Sequence, residues 1–128
     1  MTGKSELAVI LKAKELCSYV MTVTEKSPKR FRFTLVSRLQ NYALDVIEEL
    51  YVANEIFVPG GGQKQAEERL SQQRKAQTSL RLLGYIAQLA MEQECILPKQ
   101  YEQITRLIYD CRNLLGAWMN SDRKRFRL

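Results

Sequence analysis

The chain has 128 residues, 45% of them hydrophobic, with six glycines and three prolines, which fits one domain with its own core and leaves little room for a second. No apolar run approaches the roughly 18 residues that cross a bilayer, and the start, a short apolar patch running into Lys12, Lys14 and Glu15, lacks the cleavage site of a secretion signal, so a cytoplasmic protein is expected. Twenty lysines and arginines against fourteen acids give a net charge of +6 and an isoelectric point near 9.4, which points to a polyanion or an acidic protein as partner.

Four helices are predicted, each ended by a breaker. The first runs from about Ser5, a candidate N-cap, to Thr24. Val9, Ala13, Leu16, Val20 and Val23 recur at spacings of four and three, and Ile10 and Cys17 widen the stripe. Ser27-Pro28 stops it, because a residue before proline is driven out of the α region. The second is predicted from about Arg30 to Phe57, with Leu39, Ala43, Val46, Leu50, Ala53 and Phe57 on its seam. Val58-Pro59-Gly60-Gly61-Gly62 ends it; no GK[ST] follows, so a phosphate loop is rejected. The third is predicted from Gln63 to Glu94. Its first half is mostly polar, with Ala66, Leu70 and Ala76 to bury, and its second half carries Leu80, Leu83, Ala87 and Met91. Pro98 suits the first turn of a fourth helix reaching about Asn120, with Tyr101, Ile104, Ile108, Cys111, Leu115 and Trp118 on its seam.

Helices of about 20 to 30 residues, roughly 30–45 Å long, joined by short connections imply an all-α, antiparallel up-down-up-down four-helix bundle. Residues 1–122 are expected to form the bundle and residues 123–128 a basic tail. Several apolar residues remain after the seams are filled, among them Leu11, Met21, Val36, Ile47, Leu107 and Leu114. Left exposed they would mark a subunit interface.

No enzyme is expected. The chain has no histidine, which removes the commonest general base, the Ser–His and Cys–His pairs, the usual zinc ligands and the Glu-x-x-His pairs of bundle di-iron centres. Cys17, Cys95 and Cys111 are odd in number, widely spaced and without a CxxC, so they read as small hydrophobes. Asp45, Glu48 and Glu49, at i, i+3 and i+4, could hold a cation but read better as a solvated face. No cofactor is expected.

The cations are unevenly placed. No acid occurs between Glu25 and Asp45, where Lys26, Lys29, Arg30, Arg32 and Arg38 fall, with Phe31 and Phe33 interleaved. Both phenylalanines are expected to close the end of the bundle. Cations at a helix N-terminus oppose the dipole at a cost of some tenths of a kcal/mol each. A second group is Arg123, Lys124, Arg125 and Arg127, placed beyond the last helical turn as an arm at the opposite end. A third, Arg69, Arg74, Lys75 and Arg81, lies along the third helix, with Arg74 and Arg81 two turns apart on one face. Such a surface would bind phosphates without regard to sequence and with strong salt dependence.

The stretch RLQNYALDVIEELYVANE, Arg38 to Glu55, and the stretch from Ser79 to Asp122 resemble the accessory variability determinant (Avd) family of diversity-generating retroelements. The second carries an LRLL segment at Leu80–Leu83, a KQYE helix start at Lys99–Glu102 and an LLGxW segment at Leu114–Trp118. The resemblance covers most of the chain from Phe33 onward and the first helix more loosely. It implies four-helix bundles assembled into a pentameric barrel that bind RNA and DNA and associate with a reverse transcriptase in mutagenic complementary-DNA synthesis. Onto this chain it carries Arg30, Arg32, Arg38, Arg74, Lys75 and Arg81, beside Lys29, Arg123, Lys124 and Arg125 from the charge pattern. Related bundles encoded within intervening sequences of ribosomal RNA genes show a small-residue SIPSNIAEG segment. Here Ala43 to Glu55 reads ALDVIEELYVANE, which favours the retroelement branch. Three functions are therefore weighed: a module for nucleic acid and polymerase, a structural or protein-interaction bundle, and a cofactor-holding bundle, the last left with only Met and Cys as ligands.

Overall fold

The computed structural model describes residues 4–128, with side chains from residue 8 onward. Four helices account for most of it: α1 (Lys4–Thr24), α2 (Ser37–Glu55), α3 (Gln63–Glu92) and α4 (Pro98–Phe126). There is no strand among the described residues, and no helix is long and apolar enough to cross a membrane. α1 packs against α2 and α4, and α3 against α2 and α4, so the four close around a single core. The chain is a four-helix bundle.

The apolar periodicity explains the core. Val9, Ala13, Leu16, Val20 and Val23 of α1 are all buried, as are Leu39, Ala43, Val46, Leu50 and Ala53 of α2. Leu80, Leu83 and Ala87 of α3 meet Ile104, Ile108, Cys111, Leu115 and Trp118 of α4 in the same cluster, with Met91 and Tyr101 at its edge. Phe57 does not belong to the seam: α2 stops at Glu55, Ile56 turns extended, and Phe57 is 76% exposed in the connection that follows. Of the six residues expected to be left over, only Leu11 is exposed. Val36 and Leu107 are buried, and Met21, Ile47 and Leu114 pack at the core edge, because a wide apolar stripe fills a thick core rather than facing solvent.

The helix ends depart from the periodic reading in four further places. Ser5 lies one residue inside α1, and its side chain is outside the described residues. The second helix does not begin at Arg30. Pro28 is extended, Lys29–Phe31 form a 3-10 turn, Arg32–Val36 a π-helical turn, and α2 starts only at Ser37. The i to i+5 spacing of a π turn sets Phe31 and Val36 on one side, and both pack on the core. α3 stops at Glu92, where Glu94 takes a left-handed φ of 62°. The Cys95 and Glu94 amides then donate to the carbonyls of Ala90 and Met91 at 2.7 and 3.0 Å, a closure usually built on glycine. α4 overruns Asn120 by six residues to Phe126. Arg123, Lys124 and Arg125 are therefore part of a helix and not a loose tail.

That extension is held by buried charge. Arg69 is 6% exposed and Asp122 2%. The Arg69 Nε–H donates to Asp122 at 2.7 Å, the Gln73 amide donates to the same carboxylate at 2.8 Å, and Arg125 donates to its other oxygen at 2.8 Å. The Arg69 guanidinium also lies 5.1 Å from the centre of the Trp118 ring. Arg69 thus leaves the surface group to which its charge assigned it. Removing one partner from a buried ion pair strands the other, at a cost of about 3–5 kcal/mol. Asp122→Ala should lower the unfolding free energy by about that amount in urea titration. A loss under about 1 kcal/mol, the surface ion-pair range, would show that the network does not hold the end of α4.

Candidate nucleic-acid interface

Two connections meet at one end of the bundle. The Ser27 hydroxyl, between α1 and α2, donates to the Cys95 carbonyl, between α3 and α4, at 2.8 Å. The Gln40 amide of α2 donates at 3.0 Å to Thr24 at the end of α1. Lys29, Arg30 and Arg32 project from this tied end and are exposed. Lys29 and Arg32 border a cleft of about 210 Å³ beneath the turn. The Arg30 guanidinium lies 4.4 Å from the centre of the Phe31 ring. Arg38, in the first turn of α2, donates to the Tyr42 hydroxyl at 3.4 Å. Phe31 packs on the core at the bundle end as expected, but Phe33 does not: it is 86% exposed, in the same α1–α2 connection as these cations.

The second group lies at the far end of α3, about 45 Å away at the helical rise. Arg125 lines the cleft formed by the glycine-rich connection, which also holds Phe126 and Arg127. Arg125 is committed to Asp122, whereas Arg123 reaches only the Asn120 side-chain oxygen, at 3.4 Å, and Lys124 is exposed. The third group sits between. Arg74 and Lys75 border a cleft of about 340 Å³ with Glu49 and Ser79, and Arg81 borders a separate groove against α4. The cations therefore spread along the length of the bundle and do not converge on one pocket.

What nine of them share is the absence of an ion pair with a carboxylate. Among the described residues, Lys29, Arg30, Arg32, Arg38, Arg74, Lys75, Arg81, Arg123 and Lys124 make no ion pair with an acid. Of the ten candidate residues only Arg125 is paired. Asp45 and Glu48 are exposed on α2, and Glu49, in the cleft with Arg74 and Lys75, accepts the Ser79 hydroxyl at 2.7 Å. Burial pushes the Glu49 carboxyl up and Asp45 adds to this, while the Ser79 bond and Lys75 pull it down. No group of three or more His, Cys, Asp or Glu side chains among the described residues could hold a metal ion, so Asp45, Glu48 and Glu49 do not form a cation site.

The pattern that misplaced Arg69 also contained its correction. Ala66, Leu70, Ala76, Leu80 and Leu83 mark a stripe with steps of four, six, four and three; Gln73 divides the step of six into two of three, and Arg69 lies beside Leu70 on the same face. Position, not residue type, decides that both are buried. No protein-family model matches the chain, and no curated protein matches it at a significant level.

The cysteines have the chemistry of core residues. All three are free and buried. Desolvation pushes each thiol up, Cys111 to about 12, and the Cys111 thiol lies 4.0 Å from the Val9 carbonyl. Because the thiolate is the reactive form, Cys111 stays protonated and inert at neutral pH. A thiol reagent should label Cys111 in the native protein far more slowly than in urea; labelling at equal rates would place it outside the core.

Proposed function

We propose that this protein is a non-catalytic, nucleic-acid-binding accessory protein of the accessory variability determinant family, acting in the cytoplasm beside a reverse transcriptase. The observation that carries the reading is the set of nine surface cations that make no ion pair with an acid among the described residues, spread along a helical scaffold about 45 Å long. Phosphates spaced along a strand match such an array, whereas a small anion would need the cations to converge. Phe33, exposed in the same connection as Lys29, Arg30 and Arg32, adds a ring on which an unpaired base can stack.

We further propose that the helices run alternately up and down and that five copies assemble into a ring. Leu44, Tyr51 and Val52 are exposed on α2 at i, i+7 and i+8, one helical stripe, and Asp45, Glu48 and Glu55 are exposed beside them. An apolar, acidic stripe on a chain that is elsewhere basic suits a head-to-tail contact between unlike faces, the kind that closes into rings. Light scattering should then give five times the chain mass of 14.9 kDa, and Tyr51→Glu should dissociate the ring. A monomer at all concentrations would refute the assembly.

Gel retardation tests the binding itself. RNA and DNA should both be retarded at low salt, and the logarithm of the binding constant should fall linearly with the logarithm of salt concentration. The slope should shrink by about 0.7 to 0.9 for each phosphate contact removed, as with Arg74→Glu and Lys75→Glu. A chain that retards neither polynucleotide at low salt is instead a structural or protein-interaction bundle of the ribosomal intervening-sequence type.

A further inference from the structure

The groove between α3 and α4 carries chemistry that the basic surface alone does not need. It encloses about 360 Å³ and is walled by Arg81, Tyr85 and Gln88 from α3 and by Tyr101, Thr105 and Arg112 from α4. Leu80, Gly84 and Ile108 complete its lining, and a Cβ on Gly84 would lie 3.8 Å from the Ile108 side chain, so the absence of a side chain at Gly84 leaves this part of the groove open. No acid lines it, and neither arginine makes an ion pair among the described residues. The Arg69–Asp122 bond and the approach of Gly84 to Ile108 fix the register of the two helices. From that bond, Arg81 is about 18 Å along α3 and Arg112 about 15 Å along α4, so the two residues stand at nearly the same height on either side of the groove. Tyr85 is 71% exposed, and Tyr101 is half-buried further along.

Two arginines at one height on facing helices, tyrosines beyond them and an apolar lining between are complementary to one nucleotide of a single strand. The geometry points to this groove as a nucleotide subsite, in which Arg81 and Arg112 hold the phosphate and Tyr85 and Tyr101 flank the base. Guanidiniums bind phosphate bidentately, and every base offers a face to an aromatic ring. Gln88 and Thr105 supply hydrogen-bonding groups at the base edge. The volume lies at the lower end of ligand pockets, which fits a single base, and bases stacked and paired inside a duplex cannot enter. The subsite rests on the nucleic-acid reading above and adds to it a preference for unpaired strands.

The experiment compares three fluorescent probes of equal length: an oligothymidylate, its abasic phosphodiester counterpart and a duplex. Gly84→Met fills the groove without altering charge and favours the helix, and Tyr85→Ala removes an exposed ring. Each should weaken oligothymidylate binding roughly tenfold or more, the worth of one stacked base, and leave the abasic and duplex probes unchanged. Equal losses on all three probes, or no loss on any, overturn the subsite while leaving the nucleic-acid reading in place. A change in the scattering mass of Gly84→Met also overturns it, making the groove a contact between copies. Failure of the unaltered protein to bind any probe defeats the underlying reading, and the subsite with it.

Discussion

A charged side chain in a four-helix bundle must find either water or an opposite charge, and this constraint sorts every cation of the chain. Among the described residues the core accepts one guanidinium, Arg69, and does so with Asp122, Gln73 and the Trp118 ring around it. An unpaired charge there would cost several kcal/mol. Arg69 is the point at which the polar first half of α3 is tied to the end of α4, and it keeps α4 helical through Arg125. The other described basic residues are left on the outside, most of them without an ion pair to an acid.

The two ends of the bundle are consequently different. At one end, the Ser27–Cys95 and Gln40–Thr24 bonds join the connections into a cap, and the 3-10 and π turns carry Lys29, Arg30, Arg32 and Phe33 outward while Phe31 and Val36 hold the core. At the other, a glycine-rich connection lies against Arg125 and Phe126, and the Asp122 network takes up part of the positive charge. The first end presents its cations free, and the second presents them partly committed. A basic tract in a sequence becomes an available basic surface only where the fold withholds carboxylates from it.

Most of the architecture was legible in the apolar spacing. The seams of α1 and α2, apart from Phe57, and the second half of α3 were readable because a period of 3.6 residues admits few alternatives. The errors lie where side-chain type was weighed above position. Arg69 was assigned to the surface by its charge although it stands on the buried stripe, and Phe33 was assigned to the core by its ring although the π turn rotates it outward. Glu94 carries a left-handed conformation usually left to glycine, so no glycine marked the end of α3, which falls at Glu92, two residues before the expected boundary. Arg123 to Arg125 were read as a tail because the buried partner of Asp122 lies 53 residues away, beyond any local pattern. The α3–α4 groove was not visible at all, since its walls come from two helices whose register depends on that same long-range bond.

Arginine-selective labelling followed by mass spectrometry tests the sorting of cations most directly. In the free protein Arg30, Arg32, Arg74 and Arg81 should react readily while Arg69 stays unlabelled, and a saturating single-stranded RNA should shield the first four and leave Arg69 as it was. Labelling of Arg69 at the rate of the others, or outer arginines that react identically with and without RNA, would contradict the account.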